Sequence, residues 1–332
     1  MIISPDSSLP YGAGVPRLSV IVPFYNVQRF AAENLRSLSA NADPGIEFVL
    51  VDDGSTDATR SIVTTAAERL ARATLVELRQ NRGLSAARNA GMRAARGRYL
   101  TFIDGDDVAV PGHFSRLVEA IEALGCDFVR TDHVQVRGRE RVLHRIVHGP
   151  RGVVCPPRSG ICRSGQTSSV DAPWAWAGVY SRRLLEAGLL NFDEDLRTCE
   201  DRPWIWRLHL RAESFAVVGL HGIRYRRDVS QSLTQANDER QFDFIPAFER
   251  ILASVRADRD AALLLPKALR TYFAIICHHI GKQDRYPTPV RRQLRSLVGR
   301  SLARLPESER EPALADLDQE RARTVRKLLA AA

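Results

Sequence analysis

Two clusters of acidic residues follow two apolar segments, and their spacing is suited to binding a metal ion. Val51 runs into Asp-Asp-Gly-Ser-Thr-Asp at 52–57, and Ile103 runs into Asp-Gly-Asp-Asp at 104–107. Each apolar run is typical of a strand buried on both faces, and ligands of open α/β sheets bind beyond the carboxyl ends of such strands. Adjacent carboxylate clusters repel unless a cation lies between them, and Mg²⁺ or Mn²⁺ binds carboxylate and diphosphate oxygens together. We therefore predict a divalent metal that carries a diphosphate, although Asp-rich turns also cap helices and break strands.

Composition limits the class of protein. The chain has 332 residues, of which 44% are hydrophobic and 26% are charged, enough for one large globular domain plus an appendage. No segment approaches the roughly 20 consecutive apolar residues of a membrane span, and the first residues lack the pattern of a secretory signal. Cysteines without a C-x-x-C pair fit a reducing compartment, so we expect a cytoplasmic protein. The net charge of +9 is compatible with nucleic acid, an anionic membrane or an anionic substrate.

Strands and helices alternate between residues 18 and 124. We predict strands at 18–22, 46–51, 74–78 and 98–103, and helices at 27–40, 57–71, 85–95 and 112–124. This βαβα order indicates an α/β protein with a mostly parallel, Rossmann-like sheet flanked by helices. The acidic clusters then follow the second and the fourth strand.

The remaining sequence is less regular. Residues 1–16 are predicted to be a flexible lead-in, and 128–136 and 142–147 could form a further strand pair. Residues 149–169 contain several Pro and Gly residues and are predicted to be a long loop. From about residue 242 to the end the pattern is helical, which indicates a helical C-terminal appendage.

The end of the first strand excludes two common phosphate-binding motifs. Pro23-Phe24-Tyr25-Asn26 stands where a dinucleotide-binding turn requires G-x-G-x-x-G, and no P-loop G-x-x-x-x-G-K-[ST] occurs in the chain. The phosphates are therefore expected on a metal rather than on a glycine-rich helix start. Tyr25 beside Pro23 offers a flat apolar surface for a nucleobase, or is an ordinary aromatic residue that packs the turn.

Four motifs, in order, resemble those of family 2 glycosyltransferases. They are SVIVPFYN at 19–26, VDDGSTD at 51–57, NRGLSAARN at 81–89 and FIDGDD at 102–107. The resemblance implies the GT-A fold and an inverting transferase that uses a nucleotide-diphosphate sugar, usually a UDP-sugar, with Mn²⁺ or Mg²⁺. It extends to about residue 234. We accordingly divide the chain into a catalytic domain at 17–235, with its acceptor half from about residue 111, and a helical region at 236–332.

The resemblance also implies roles for individual residues. Those that contact the base and ribose or hold the nucleotide are Pro23, Tyr25, Asp53, Asn81 and Arg88. Asp104, Gly105 and Asp106 form the D-x-D motif, with Asp106 as the more direct metal ligand. A tight turn with a small residue between two carboxylates places both on one side, in agreement with this role. Arg88 has a planar fork that suits phosphate or carboxylate, so a structural ion pair with one of these aspartates is the alternative.

An inverting displacement needs a base that takes the proton of the acceptor hydroxyl, and a carboxylate within hydrogen-bond reach is sufficient. The resemblance assigns this role to Asp201, with Glu200 as the alternative base or as an orienting group. Both residues also fit the start of a helix, where acids complement the dipole and Pro203 suits the first turn. Four tryptophans lie nearby in the sequence, and we expect at most two to contact a sugar: Trp174, Trp176, Trp204 and Trp206.

A later segment resembles the closing motif of the family, in which an arginine and a serine lie over the diphosphate. Here these residues are Arg226 and Ser232. Many family members have a histidine between them that completes the metal shell, whereas this chain has Asp228 near that position. The existence of a third protein ligand is therefore left open.

Two other functions compete with sugar transfer. A haloacid-dehalogenase-type phosphatase has a D-x-D-x-[TV] motif, which residues 104–108 approach only loosely. It also needs a downstream lysine with an acidic pair, and the lysines of the C-terminal region lack such a pair. A catalytically degenerate transferase could serve as a binding or scaffold subunit, but it would not need intact D-x-D and Glu-Asp pairs.

The expected partners are the nucleotide-sugar donor and a glycan, polymer or lipid-linked acceptor, as in the synthesis of bacterial cell-surface polysaccharides. We expect no nucleic-acid partner. In the C-terminal region, arginines at 291–304 alternate with apolar residues at 294–305. Such a helix could lie on the inner face of an anionic membrane, or it could pack on the catalytic domain or on another subunit in a homo-oligomer.

Overall fold

Eleven strands in two sheets organise the described part of the chain. The computed structural model describes residues 14–161, 164–227 and 237–330, so 1–13 of the predicted lead-in lie outside it. The strands are β1 (Leu18–Phe24), β2 (Ile46–Asp52), β3 (Ala73–Glu77), β4 (Tyr99–Phe102), β5 (Val108–Ala109), β6 (Phe128–Thr131), β7 (His133–Arg137), β8 (Glu140–His144), β9 (Gly178–Ser181), β10 (Phe215–Val218) and β11 (Ile223–Arg226). One sheet has the order β10-β6-β9-β4-β1-β2-β3, and the other has the order β5-β11-β7-β8.

The centre of the seven-stranded sheet is parallel and buried. β1 and β2 are buried along their whole lengths, as their continuous apolar runs predicted. β1 lies parallel to β2 and β4, and the registers pair Phe24 with Asp52 and Ile21 with Phe102. The carboxyl ends of the three strands therefore lie side by side, so the two acidic clusters share one edge of the sheet. β9, which the sequence did not predict, is antiparallel to both β4 and β6.

The helices follow the predicted alternation. They are α1 (Gln28–Ser39), α2 (Thr59–Ala67), α3 (Leu84–Ala94), α4 (His113–Leu124), α5 (Arg182–Glu186), α6 (Asp201–Arg211), α7 (Phe244–Arg256), α8 (Ala261–Gly281), α9 (Thr288–Ala303), α10 (Glu307–Ala315) and α11 (Gln319–Ala330). α3 approaches the sheet closely, because a Cβ atom on Gly91 would lie only 2.4 Å from Cγ2 of Ile21. The small residues of this helix are therefore a packing requirement.

The segment 128–136, predicted as one strand, is two strands in different sheets. β6 pairs with β9 and β10 in the large sheet, whereas β7 forms a hairpin with β8 in the small one. The break occurs at Asp132, whose buried carboxylate accepts the backbone N–H of Ile146 at 2.9 Å and pairs with Arg151 at 2.6 Å. Because these partners lie beyond the hairpin in the sequence, local propensity did not indicate the break.

The described residues form two units, each with its own packing. The first contains 14–157, 174–194 and 211–227, and the second contains 158–161, 164–173, 195–210 and 237–330. The domain bounds drawn from the sequence stay a prediction. Within the predicted loop at 149–169, a short 3₁₀ helix occupies Pro157–Gly160.

The C-terminal helices build the second unit. On α9, the side chains of Leu294, Val298 and Leu302 are fully buried, and Ser301 shares a 2.6 Å hydrogen bond with the hydroxyl of Tyr272 on α8. The apolar side of α9 therefore faces protein, which favours the packed alternative over a lipid-facing helix. None of the helices in the described ranges is both long and apolar enough to cross a bilayer.

Candidate active site at the carboxyl ends of the central strands

Asp53 organises the loop that precedes α3. Its carboxylate accepts hydrogen bonds from Nδ2 of Asn81 and from the backbone N–H groups of Arg82 and Gly83, each at 2.8 Å. Gly54 permits this approach, because its φ is +69° and a Cβ atom there would lie 2.5 Å from the carbonyl carbon of Gln80. The structure thus brings together two predicted nucleotide-binding residues, Asp53 and Asn81.

The D-x-D turn is packed against the end of β1. The N–H of Gly105 donates to the carbonyl oxygen of Pro23 at 3.2 Å. A Cβ atom at this glycine would lie 2.5 Å from the ring of Phe24, so the middle residue of the motif must be glycine in this geometry. Pro23 therefore positions the turn through its backbone.

Asn34 of α1 fixes the same turn and was not identified from the sequence. Its Nδ2 atom donates to the carbonyl oxygens of Asp104 and Asp107, at 3.1 and 2.9 Å, and the side chain is fully buried. The sequence did contain an indication of this role, because Asn34 stands between Phe30 and Leu38 on the apolar side of the helix. A polar residue at such a position needs buried hydrogen-bond partners.

Arg88 makes the ion pair that was the alternative to a nucleotide contact. Its Nη2 atom lies 3.0 Å from Oδ1 of Asp104, and its side chain is 1% exposed. The guanidinium also lies over the rings of Phe102 and Phe192, 5.9 and 5.1 Å from their centroids. This arrangement orients one carboxylate of the D-x-D motif; a role toward the nucleotide stays a prediction.

The charged forms of the other two aspartates of the turn, Asp106 and Asp107, are destabilised by their surroundings. Burial, and next the charge of Asp104, raise the pKa of Asp106 to about 7. Burial and the charges of Asp106 and Asp104 raise the pKa of Asp107 well above its usual range, even though the N–H of Arg226 donates to Oδ1 of Asp107 at 2.7 Å. A cation close to this turn would relieve the repulsion.

Arg226 joins the turn to β11 and α1. Its Nε atom donates to the carbonyl oxygen of Asp106 at 3.0 Å, and its Nη2 atom pairs with Glu33 at 2.8 Å. The structure therefore places this predicted diphosphate-binding residue beside the D-x-D motif. Ser232 and Asp228, the other residues predicted in the closing segment, lie outside the described residues.

The residues of the turn fit a hard divalent cation. Within the described ranges, no three His, Cys, Asp or Glu side chains are grouped as a complete protein cage for a metal. Mg²⁺ is commonly bound by one or two carboxylates together with substrate phosphates and water. Asp106 and Asp104 supply such a partial set, and a cation would stabilise the charged form of Asp106, whose pKa is raised first by burial and next by the charge of Asp104.

Tyr25 directly follows the carboxyl end of β1, and its side chain is 44% exposed. The exposure disagrees with an aromatic residue that packs the turn, and it leaves the ring accessible to a flat ligand. The next residue, Asn26, has a φ of +50°, and its Oδ1 atom accepts the N–H of Thr56 at 2.9 Å. The loops after β1 and β2 are thereby tied together around Tyr25.

An aromatic cluster lines the small sheet one residue away from Arg226. The ring of Tyr225 lies 5.0 Å from that of Trp176, which in turn stacks at 5.9 Å on Trp174. His133 contacts both tryptophans edge-on, at 4.6 and 4.8 Å. Trp176 is 2% exposed, whereas Trp174 is partly exposed. Trp174 and Tyr225, which are both partly exposed, are therefore the members of this cluster that a ligand can reach.

The Glu-Asp pair belongs to the second unit. Asp201 is the first residue of α6 and is partly exposed, and Glu200 is buried. The loop before them is fixed, because the hydroxyl of Thr198 donates to the carbonyl oxygen of Arg240 at 2.6 Å and Cys199 has a φ of +60°. Both remaining tryptophans of this region, Trp204 and Trp206, are buried.

Comparison with known proteins finds similarity to glycosyltransferases, in agreement with the motifs of the candidate site. Residues 19–177 match the family model described as glycosyl transferase family 2. The chain is 33% identical to the uncharacterized glycosyltransferase EpsJ of Bacillus subtilis over 67% of its own length and 64% of that protein. It is 32% identical to the succinoglycan biosynthesis protein ExoO of Rhizobium meliloti, over 56% of its own length and 54% of that protein. The chain thus spans less than two thirds of the length of these relatives.

The fold has solved counterparts. TarS of S. aureus, in complex with UDP-GlcNAc, superimposes with a TM-score of 0.72 at 21% identity, over 95% of this chain and 92% of that one. Together with the family model, this likeness confirms the expected α/β fold of the GT-A type. The match over residues 19–177 and the similarity to curated glycosyltransferases support a glycosyltransferase of family 2.

Proposed function

We propose that this protein is an inverting glycosyltransferase, of the hexosyl or N-acetylhexosaminyl class, that uses a nucleotide-diphosphate sugar. The observation that carries the proposal is the D-x-D turn, in which Asp104 is held by Arg88 at 3.0 Å and Asp106 has a pKa raised to about 7. Two acidic residues fixed at the carboxyl end of a parallel strand form a site for a metal-bound diphosphate. The cytoplasmic location stays a prediction.

A UDP-sugar is the proposed donor. The exposed ring of Tyr25 and the loop that Asp53 fixes through Asn81 offer a surface and polar groups for a nucleoside. TarS of S. aureus, which shares the fold, has been solved with UDP and with UDP-GlcNAc. We assign base and ribose contacts to Pro23, Tyr25 and Asp53.

Asp106 and Asp104 are the proposed ligands of Mn²⁺ or Mg²⁺. When bound, the metal neutralises the charge that develops on the departing diphosphate. Arg88 keeps Asp104 in place, and Arg226 adds positive charge beside the turn. A mannosyltransferase of Pyrobaculum calidifontis with the same type of fold, at a TM-score of 0.51, has been solved with GDP-Man and Mn²⁺.

Asp201 is the proposed base that takes the proton of the attacking hydroxyl. As the first residue of α6 it is partly exposed, whereas Glu200 is buried and suits an orienting role. The proposed acceptor is a glycan, a polymer or a lipid-linked sugar, because relatives are named for succinoglycan and teichuronic acid biosynthesis. We assign Trp174 to the wall that faces a sugar ring.

Titration calorimetry with UDP in the presence of Mn²⁺ tests the proposal. Asp106→Asn should abolish metal-dependent affinity, because the amide removes a charged ligand while keeping the shape of the side chain. Asp43→Asn is the control, since Asp43 lies just before β2, at the opposite end of the strand, where its Oδ1 atom accepts the N–H of Gly45 at 2.8 Å. Unchanged UDP affinity in Asp106→Asn would contradict the proposed metal site.

Turnover with a panel of UDP-sugars then separates an active transferase from a binding subunit. Release of UDP that depends on the metal and on one donor sugar is expected from the wild-type protein. Tight UDP binding without turnover of any donor sugar, even with acceptor fragments present, would support the degenerate alternative instead.

A further inference from the structure

The β7–β8 hairpin carries a concentration of exposed apolar side chains. Eight large apolar residues are exposed in the described ranges, and five of them lie between 142 and 154. The three in and directly after the hairpin are Val142, Leu143 and Val147, at 39, 43 and 50% exposure. Val153 and Val154 lie in the segment that follows. This segment is linked to the end of the hairpin, because Arg151 donates a 3.0 Å hydrogen bond to the carbonyl oxygen of Ile146.

The position of β8 explains this exposure. β8 is the outer strand of the small sheet and pairs with β7 alone among the described strands. Val142 lies opposite Gln135, and Leu143 lies opposite Val134, so these neighbours occupy opposite faces of the hairpin. Both are exposed, so the part of the chain that the structure describes covers neither face at this end of the strand.

The same hairpin is strongly basic. Between residues 133 and 150 the sequence contains four arginines and one acidic residue, Glu140. Arg139 and Arg145 are exposed and have no hydrogen-bond or ion-pair partner among the described residues. Arg141 donates to the carbonyl oxygens of Gly138 and Glu140, each at 2.8 Å, and pairs with no carboxylate of the described ranges.

We infer that this hairpin patch, defined as Arg139, Arg145, Leu143 and Val147, docks on the surface of an anionic phospholipid bilayer. Basic residues near such a surface are attracted to its charge, and adjacent aliphatic side chains enter the interface. Arginine on an edge strand also discourages strand pairing between copies, but that role does not account for exposed Leu143 and Val147. An anionic polymer would need the arginines and not the aliphatic residues.

The patch is linked to the candidate active site through one sheet. β7 lies between β8 and β11, and β11 ends at Arg226, which contacts the D-x-D turn. A bilayer bound at the hairpin would therefore lie two strands away from that arginine. If the proposed function holds, this suits a lipid-linked acceptor; the docking itself depends only on the hairpin.

Co-sedimentation of the full chain with vesicles tests the inference. We expect binding to vesicles that contain phosphatidylglycerol and none to pure phosphatidylcholine. Arg139→Gln with Arg145→Gln should lower the partition coefficient on the order of tenfold or more, since each arginine contributes independently. Leu143→Ser with Val147→Ser should also lower it while both arginines remain.

Arg292→Gln with Arg323→Gln is the matched control, because it removes two exposed arginines from α9 and α11 without touching the hairpin. It should bind vesicles as the wild-type chain does. The inference is overturned if the chain ignores anionic vesicles, if either hairpin variant binds normally, or if the hairpin variants lose self-association in place of vesicle binding. UDP affinity, measured in parallel, reports separately on the proposed function.

Discussion

The side-chain amide of Asn34 donates to the carbonyl oxygen of Asp107 at 2.9 Å, and the same nitrogen reaches the carbonyl oxygen of Asp104 at 3.1 Å. A helix that precedes the motif by 70 residues thus fixes both ends of the D-x-D turn. Because the turn holds two repelling carboxylates close together, a rigid backbone is a condition for the proposed metal binding.

Asn34→Ala should therefore weaken metal-dependent UDP binding as well as stability. Loss of two buried hydrogen bonds should lower the free energy of unfolding by about 1–3 kcal/mol. Asn41→Ala is the control, because Asn41 is equally part of a buried network, with its Nδ2 atom donating to Ser37 at 2.8 Å, but it does not contact the turn. Chemical denaturation and calorimetry on both variants check this; similar UDP affinities in the two would argue against a role for Asn34.

Asp201→Asn should keep donor affinity and lower turnover by on the order of 10²- to 10⁴-fold, if the carboxylate acts as general base. The amide preserves the size of the side chain but cannot accept a proton at neutral pH. Steady-state kinetics with a matched acceptor, compared with Glu200→Gln, measure the effect. Near-normal turnover of Asp201→Asn together with a large loss in Glu200→Gln would transfer the role to Glu200.

Trp174→Ala and Trp176→Ala should separate recognition from packing. Trp176 is 2% exposed, so its truncation should cost about 3–5 kcal/mol of stability. Trp174 is partly exposed, and its loss should raise the KM for a sugar acceptor about fivefold, the equivalent of one aromatic contact, with a smaller effect on stability. An unchanged KM in a folded Trp174→Ala protein would remove this residue from the acceptor site.

His113 should make stability depend on pH. Burial, and next the positive charges of Arg116 and His221, lower the pKa of this histidine from 6.5 to about 3. The unfolded chain takes up a proton below pH 6.5 and the native chain does not, so stability is lost as pH falls from 6.5 toward 3, by about 1.4 kcal/mol per pH unit. Denaturation curves for His113→Leu should show a slope smaller by that amount, and a slope equal to that of the wild-type protein would contradict this prediction.

Local sequence was sufficient for the parallel centre of the fold. The apolar runs of β1 and β2 can be buried on both faces only in a covered parallel sheet, and the small residues of α3 match its close approach to Ile21. Their motifs also placed Asp53, Asp104 and Asp106 at one edge. The roles of these residues stay predictions, but their position at the strand ends is a consequence of the βαβ order.

The strands around that centre could not be predicted from local sequence in the same way. β9 has four residues and pairs in antiparallel fashion with two strands that are distant in the sequence. A short apolar run does not specify its partners, because pairing depends on which edge is free after the other strands have assembled. The break at Asp132 likewise depends on Arg151, 19 residues later.

The sequence by itself determined which charged groups this protein has and where along the chain they stand, because each motif is a short segment with a local structure. Only the tertiary structure decided how they are paired. Arg88 binds Asp104, and the guanidinium of Arg226 pairs with Glu33 across 193 residues. Such contacts follow from the packing of separate elements, and the spacing of residues along the chain does not encode them.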